Sequence, residues 1–304
     1  MMPVSWAAVL LPLLFWDQPV STADALRKAG IERLAVPPGS EQIWRKSGFS
    51  ASVFDRAHAV PATAPKVEYH MDVAAATQVP WVDANGWRFE RDPRQTYFYD
   101  VPKRRAMLAA AEAFAYGVHA AVRASPEDLP AFGRMRRFLA GLDRPPLPVM
   151  ANIGVIDDGS DTMGEVLNLM ARHNLLFRII PAEDSRYDLN IRNTADAADP
   201  YRFAMNLRHR LTDEKRLLRI YGSSVVLARL TGDREHVRVH LLNYGDAPVS
   251  GLRVRVLGSY PHGSLAAFDL PQASLADYTV EDGATEFTIP EITIYAVVDL
   301  TIRD

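Results

Sequence analysis

The sequence predicts a protein of mixed class, α/β through residue 222 and all-β from residue 223 to the end. Three observations carry that expectation. In the first part, short apolar runs alternate with helical patterns, as they do where strands and helices pack in layers. From Val225 onward the apolar residues recur with a period of two, the period of a strand with one buried face. A proline-rich break, Arg144-Pro145-Pro146-Leu147-Pro148, divides the α/β part in two, because prolines in series continue neither helix nor sheet. The expected domains are therefore 16–145, 146–222 and 223–304, after a leading stretch 1–15.

That leading stretch holds Val4, Ala7, Ala8, Val9, Leu10, Leu11, Leu13 and Leu14 with almost no charge. It is shorter than the ~20 apolar residues a bilayer span needs, so no stable membrane span is expected. Its apolar length suits a secretory signal, with Ala23-Asp24-Ala25 as a small-residue cleavage site, although no Lys or Arg precedes it. Export to the periplasm or beyond is the corresponding expectation, against a cytoplasmic protein in which the run is a buried first strand ending at Phe15-Trp16-Asp17. Ser21, Thr22 and Asp24 then open a helix with Ala25, Leu26 and Ala29 inward, closed by Gly30. Residues 31–36 read as a strand stopped by Pro37-Pro38-Gly39, and Ser40 caps a short helix carrying Ile43 and Trp44. Residues 67–71 form a further strand. Residues 102–122 make the strongest helical pattern, with Met107, Leu108, Ala111, Phe114, Ala115 and Val118 on one face.

After the break, 149–156 reads as a strand ending in Asp157-Asp158-Gly159-Ser160, and 162–173 as a helix with Val166, Leu167, Leu169 and Met170 inward. A turn at Asn174, strands at 175–180 and 187–191, and an Arg-rich helix at 201–218 complete the segment. The pattern resembles a shortened Rossmann-like or flavodoxin-like module. The last part offers strands at 225–230, 237–242, 252–257, 265–270, 285–289 and 292–300, separated by turns such as Thr231-Gly232-Asp233 and Tyr244-Gly245-Asp246. Val237, Val239 and Leu241 point one way, and Arg238 and His240 point toward solvent. Six or so short alternating strands predict an antiparallel β-sandwich of immunoglobulin-like type.

Composition removes several chemistries. With 34 Lys+Arg against 37 Asp+Glu and a formal charge of −3, the chain lacks the basic excess of a nucleic-acid binder. It has no cysteine, hence no disulfide, thiolate metal site or cysteine nucleophile. Its eight histidines are scattered, so no metal site is expected. No Gly-x-Gly-x-x-Gly occurs, and Asp157 and Asp158 would repel phosphate where a nucleotide would bind; Ser160 or Asp161 is read as a helix cap there. No Gly-x-Ser-x-Gly elbow supports a serine nucleophile. No cofactor is expected.

The succession of Phe15-Trp16-Asp17 before a helix and strand 31–36, strand 149–156 with the helix to His173, and strand 237–242 with Asn243-Tyr244 leading to 292–300 resembles the modular glycoside hydrolases. In these a sugar-cleaving barrel is followed by a class I glutamine-amidotransferase-like domain and a C-terminal β domain. The resemblance implies a carbohydrate-active protein with an oligosaccharide or polysaccharide as partner. It also implies a middle module that is structural and often sits at an oligomer interface, hence a homo-oligomer. Two departures qualify it. The α/β segment 16–145 supplies roughly half of a full eight-unit barrel, so the barrel is truncated or the region is Rossmann-like instead. The absence of cysteine silences the amidotransferase-like module.

Glycoside hydrolysis needs two carboxyl groups flanking one bond. The candidates are Asp17 after the first apolar run, Glu68 and Asp72 around His70, and Asp83 in Pro80-Trp81-Val82-Asp83-Ala84-Asn85-Gly86-Trp87-Arg88. Each competes with a plain surface, cap or turn role. Residues 81–99 read as a loop dense in aromatics. Trp81, Asn85, Trp87 and Arg88, with Trp16, Trp44 and His70, suit a sugar, whose C–H face is apolar and whose rim needs polar partners. The competing reading is that the aromatics anchor a long loop. A non-catalytic carbohydrate-binding or scaffold protein derived from such a hydrolase is the alternative function, and an interaction module built on the sandwich edge and the Arg-rich helix is a third.

Overall fold

A computed structural model describes residues 11–71, 78–142 and 147–303, with the side chains of residues 70, 71, 78 and 79 left aside. The expected signal stretch therefore falls outside the described residues up to residue 10, and so does Asp72. Along the chain come β1 (Leu13–Phe15), α1 (Ala23–Lys28), β2 (Arg33–Val36), α2 (Glu41–Lys46), β3 (Ser50–Val53) and β4 (Val60–Ala62). β5 (Lys66–Met71), β6 (Gln78–Asp83) and α3 (Gly86–Arg91) follow, then β7 (Thr96–Asp100), α4 (Ala106–Tyr116), β8 (His119–Arg123) and α5 (Leu129–Gly141). The next stretch holds β9 (Ile153–Ile156), α6 (Asp161–Arg172), β10 (Phe177–Ile179), β11 (Leu189–Arg192) and α7 (Pro200–Lys215). The last holds β12 (Leu218–Tyr221), β13 (Val226–Gly232), β14 (His236–Asn243) and β15 (Val249–Leu257). β16 (His262–Ala267), β17 (Ala276–Glu281), β18 (Ala284–Ile292) and β19 (Tyr295–Thr301) close the chain.

Two compact units result, one from residues 1–66 and 92–146, the other from 67–91 and 147–304. The first is built on a six-stranded sheet of order β3-β2-β1-β8-β7-β4, every pair of which is parallel. Parallel strands are covered on both faces, which is why Leu14, Phe15, Leu34, Ala35, Val36, Tyr97, Tyr99 and Val122 are all buried without alternation. Sequence neighbours lie side by side, and β8 returns to pair with β1. β3 and β4, consecutive in the chain, form the two free edges. A doubly wound sheet would put β4 beside β1 instead.

α4 buries nine of its eleven residues. It ends at Gly117, whose left-handed backbone (φ 64°) closes the helix. The helix expected over 102–122 therefore stops early, and His119–Arg123 is strand β8. The alanine-rich sequence Ala120-Ala121-Val122 continues a helical pattern as well as it makes a buried strand, so periodicity could not part the two. Glu112 of α4 is fully buried, and the Tyr99 hydroxyl donates to it at 2.6 Å.

In the second unit, β9 lies between β10 and β11 in a three-stranded parallel sheet. α6 and α7 cover it through Met163, Val166, Leu167, Met170, Leu207 and Leu211. Ser160 caps α6 by accepting from the Met163 N–H at 3.2 Å. β5 and β6 form a two-stranded ribbon. Two four-stranded antiparallel sheets, β12-β15-β18-β17 and β13-β14-β19-β16, share one core that includes Val237, Val239, Leu252, Val254, Phe287 and Val298.

Two expectations are corrected here. Residues 81–99 are not a loop: they are the end of β6, helix α3 and strand β7, and the chain crosses from one unit to the other between Arg91 and Asp92. A six-residue helix is too short to show a period. Arg238 and His240 do not face solvent but are 7% and 6% exposed. His240 Nδ1 shares a 2.6 Å hydrogen bond with the Tyr295 hydroxyl, and Arg238 holds Asp299 through two bonds of 2.7 and 3.0 Å. The outer face of this sheet is thus a second, polar interior. Among the described residues no helix is long and apolar enough to cross a membrane.

Candidate functional site

All six strands of the first unit run the same way, so their C-terminal ends gather on one edge, where open α/β sheets carry ligands. Three charged residues close three adjacent strands there: Asp17 two residues past β1, Arg123 at the end of β8 and Asp100 at the end of β7. Arg123 bridges the two acids, with Nη2 3.1 Å from Asp17 Oδ2 and Nη1 3.3 Å from Asp100 Oδ2. Asp17 is 26% and Asp100 54% exposed, so both remain open to solvent.

Below the charges lies an apolar floor. Phe15, Ala35, Phe98 and Ala121 point to one face of the sheet and are buried together, with Phe54 and Ala59 packed against them. Phe15 and Phe98 meet edge to face at 5.2 Å. Arg56, just past β3, spreads its guanidinium over this floor, 4.6 Å from the Phe98 ring centre and 5.8 Å from that of Phe15. Beside it is a cavity of about 580 Å³ whose walls include Arg56, Ala59, Pro61, Phe98 and Asp100. Next to Arg56 in the chain, Asp55 accepts from the Ala57 N–H at 2.9 Å and pairs with His58 at 2.7 Å. The backbone bond first, and His58 second, hold its carboxyl below the usual range.

The second unit carries its own polar group at the C-terminal end of β9. Asp157 is held by Arg91 through bonds of 2.6 and 2.8 Å, and Arg91 also donates to the Ser160 carbonyl. Asp158 accepts from the Ser160 hydroxyl, the Ser160 N–H and the Asn193 amide, and these bonds, that of the hydroxyl foremost, bring it down to about 2. Both carboxylates are thus engaged in fixing the turn into α6. Among the described residues no group of three or more His, Asp or Glu is placed to hold a metal ion.

The residues singled out in the sequence are divided between the units. Asp17, Trp16 and Trp44 belong to the first, and Glu68, His70, Trp81, Asp83, Asn85, Trp87 and Arg88 to the second. Trp16 and Trp44 are each 2% exposed. Trp16 donates its indole N–H to Thr22 Oγ1 at 2.9 Å, and Trp44 packs edge-on against Phe49. Rings enclosed on all sides offer no face to a sugar, so both act in packing. Trp81 has the Arg172 guanidinium 3.6 Å from its ring centre. Trp87 packs against the α6 core, with Arg88 4.2 Å above its ring. Asn85 is fully buried, and its carbonyl accepts from the N–H groups of Arg88 and Phe89 at the start of α3. Asp83 ends β6, partly buried, and Glu68 is exposed on β5, the strand that also carries His70.

Of the residues at this edge, Asp17 was singled out in the sequence, and Arg123, Asp100 and Arg56 were not. For two of these a signal existed. Tyr97-Phe98-Tyr99-Asp100 and Ala120-Ala121-Val122-Arg123 repeat the form of Leu14-Phe15-Trp16-Asp17, a short apolar run ending in a charge. Arg56 follows Ser50-Ala51-Ser52-Val53, too polar a run to be read as a buried strand.

No protein-family model and no curated protein sequence matches the chain. Among solved structures, α-L-fucosidase isoenzyme 2 from Paenibacillus thiaminolyticus is similar with a TM-score of 0.54 and 8% identity, over 69% of this chain and 60% of that one. A catalytic mutant of Gan42B, a GH42 β-galactosidase from G. stearothermophilus, matches with a TM-score of 0.40 and 8% identity, over 95% of this chain and 59% of that one. The β-galactosidase from Rahnella sp. R3 matches with a TM-score of 0.37 and 10% identity, over 64% of this chain and 51% of that one. The chain therefore spans between about half and three fifths of the length of these structures. At such identity the likeness to the fucosidase is one of fold: the chain has a glycoside-hydrolase-like fold, mixed α/β with a parallel sheet at its core together with antiparallel sheets.

Proposed function

We propose that the chain acts on carbohydrate and cleaves a glycosidic bond with Asp17 and Asp100 as its carboxyl pair. The observation that carries this reading is their common attachment to Arg123, within 3.1 and 3.3 Å of one guanidinium, beside an apolar-floored cavity. Two carboxylates on one guanidinium lie inside the ~9.5 Å ceiling over which such a pair works on a single bond. One would protonate the leaving oxygen. The other would attack the anomeric carbon or take a proton from water, with Arg123 offsetting whichever negative charge persists. Glu68 and Asp83 lie on the β5–β6 ribbon of the other unit, so the proposal pairs Asp17 with Asp100 instead.

The ring-like strand order of the first unit favours descent from a barrel over a doubly wound sheet. The reading also takes the module from β9 to α7 as amidotransferase-like without its nucleophile, and the two antiparallel sheets as an immunoglobulin-like sandwich. The test is a panel of chromogenic glycosides and oligosaccharides, with products separated by chromatography, for the full chain and for Asp17→Asn and Asp100→Asn. Each substitution should lower turnover by about 10²–10⁴-fold, the range of a lost general acid or base. Turnover that survives both changes, or sugar binding without any turnover, refutes the hydrolase.

A further inference from the structure

We propose that the cavity beside Arg56 binds the anionic substituent of an acidic saccharide, a carboxylate or a sulfate ester, with Arg56 as the residue that selects it; this rests on the carbohydrate reading of the same edge. Among the described residues the polar side chains lining the cavity are Arg56 and Asp100. Asp100 is already engaged by Arg123 at 3.3 Å, whereas Arg56 stands 3.8 Å from it, beyond hydrogen-bond reach. The guanidinium is about half exposed, with its central carbon 4.6 Å from the Phe98 ring centre and 5.8 Å from that of Phe15, distances at which an aromatic ring attracts a cation while leaving N–H groups for other partners. A planar fork of donors, half exposed and held to Asp100 only at ion-pair distance, matches two oxygens of a carboxylate or sulfate.

The rest of the wall is apolar. Ala57, Ala59, Pro61 and Ala62 come from the segment between the ends of β3 and β4 and offer no polar atom beyond backbone. A neutral sugar would find few partners for its hydroxyl groups there. A sugar acid would place its charge on Arg56 and its C–H face on the alanines and proline. Arg123 does not compete for the anion, because its two Nη groups already hold Asp17 and Asp100.

The test is calorimetric titration of the full chain with an oligogalacturonate, its methyl-esterified neutral counterpart, a sulfated galactose disaccharide and the unsulfated disaccharide. Wild type, Arg56→Gln and Arg56→Lys are compared, with a melting curve for each to show an intact fold. The acidic ligand should bind about tenfold more tightly than its neutral counterpart, as hydrogen bonds to a charged group do. Arg56→Gln should abolish that preference and Arg56→Lys should keep part of it. The uronate and sulfate arms show which substituent fits. Equal binding of acidic and neutral ligands, or a preference that survives Arg56→Gln, overturns the inference while leaving the carbohydrate reading in place. Failure of all four saccharides to bind overturns both.

Discussion

Adding a methyl group at Gly133 should destabilise the unit that carries the parallel sheet, and adding one at Gly141 of the same helix should not. A Cβ at Gly133 would fall 1.9 Å from the carbonyl oxygen of Ala29, the residue that ends α1, and 3.0 Å from its carbonyl carbon. The obstacle is backbone, so no side chain can turn away to relieve it, and α5 would have to withdraw from α1 by more than about 1 Å. The helix-propensity gain of Gly→Ala, up to about 1 kcal/mol, is set against an overpacking cost at the upper end of ~1–3 kcal/mol or above it. The net expectation for Gly133→Ala is a loss of about 2 kcal/mol. At Gly141 no atom of the described residues beyond its chain neighbours and its own helix backbone lies within 4 Å of the added Cβ, so the propensity gain stands alone and a terminal position keeps about half of it. Urea unfolding followed by tryptophan emission reads both, since Trp16 and Trp44 are buried in this unit. A Gly133→Ala midpoint equal to wild type, or a Gly141→Ala midpoint well below it, would refute the backbone contact between α1 and α5.

Three further outcomes follow from local geometry. Tyr295→Phe removes the hydroxyl bonded to His240 at 2.6 Å in an enclosed site, and should cost about 1–3 kcal/mol in urea unfolding; a neutral result means His240 has another partner of equal quality. Ser160→Ala removes the N-cap of α6 and should cost about 1 kcal/mol, with faster amide exchange confined to the first turn of that helix. Burial first, with Arg229 and Arg238 adding, pushes His240 from 6.5 down to about 3, so the folded state keeps it neutral while the unfolded chain takes up a proton. Stability should therefore be complete above about pH 6.5 and fall as the pH drops toward 3. His240→Gln should flatten the part of the melting-temperature profile between pH 6.5 and 4; an unchanged slope there would assign the acid loss to other groups.

What the sequence made legible was decided by period and by contrast. α6 came out within a residue or two because Val166, Leu167 and Met170 face inward while Glu165 and Asn168 do not, and because Ser160 marks its start. β13 to β15, β18 and β19 came out because strands of these antiparallel sheets alternate between apolar and polar residues. β7 and β8 did not: strands covered on both faces carry no alternation, and Ala120-Ala121-Val122 follows α4 as smoothly as another helical turn would. The outer face of β14 misled for a related reason, since Arg238 and His240 alternate as exposed residues do but are buried among Asp299, Tyr295 and Thr231. Binary pattern separates polar from apolar and cannot separate solvent from a polar interior. Of the residues gathered at the candidate edge only Asp17 stood out in the sequence, because Arg56, Asp100 and Arg123 lie 39, 83 and 106 residues further along. Only strand order brings them to one edge.

The same strand order explains why this edge holds a cavity at all. In a ring closed strand to strand, inward side chains fill the interior. Here the inward residues of β1, β7 and β8 are Phe15, Phe98 and Ala121, and the remaining wall must come from the free edges. Paired residues of parallel strands point to the same face, so β3 offers Ser52 beside Ala35, and β4 offers Pro61 beside Phe98. Both are small side chains, and Pro61 is part of the cavity wall. Pro61 moreover has no N–H to give a further strand, which suits β4 to an edge and not to a closed ring. Phe54 packs on the two phenylalanines from just past β3, and Arg56, two residues further on, stands over Phe98 beside the remaining volume. A guanidinium there is costly unless solvent or a ligand reaches it, and the opening between β3 and β4 supplies that access.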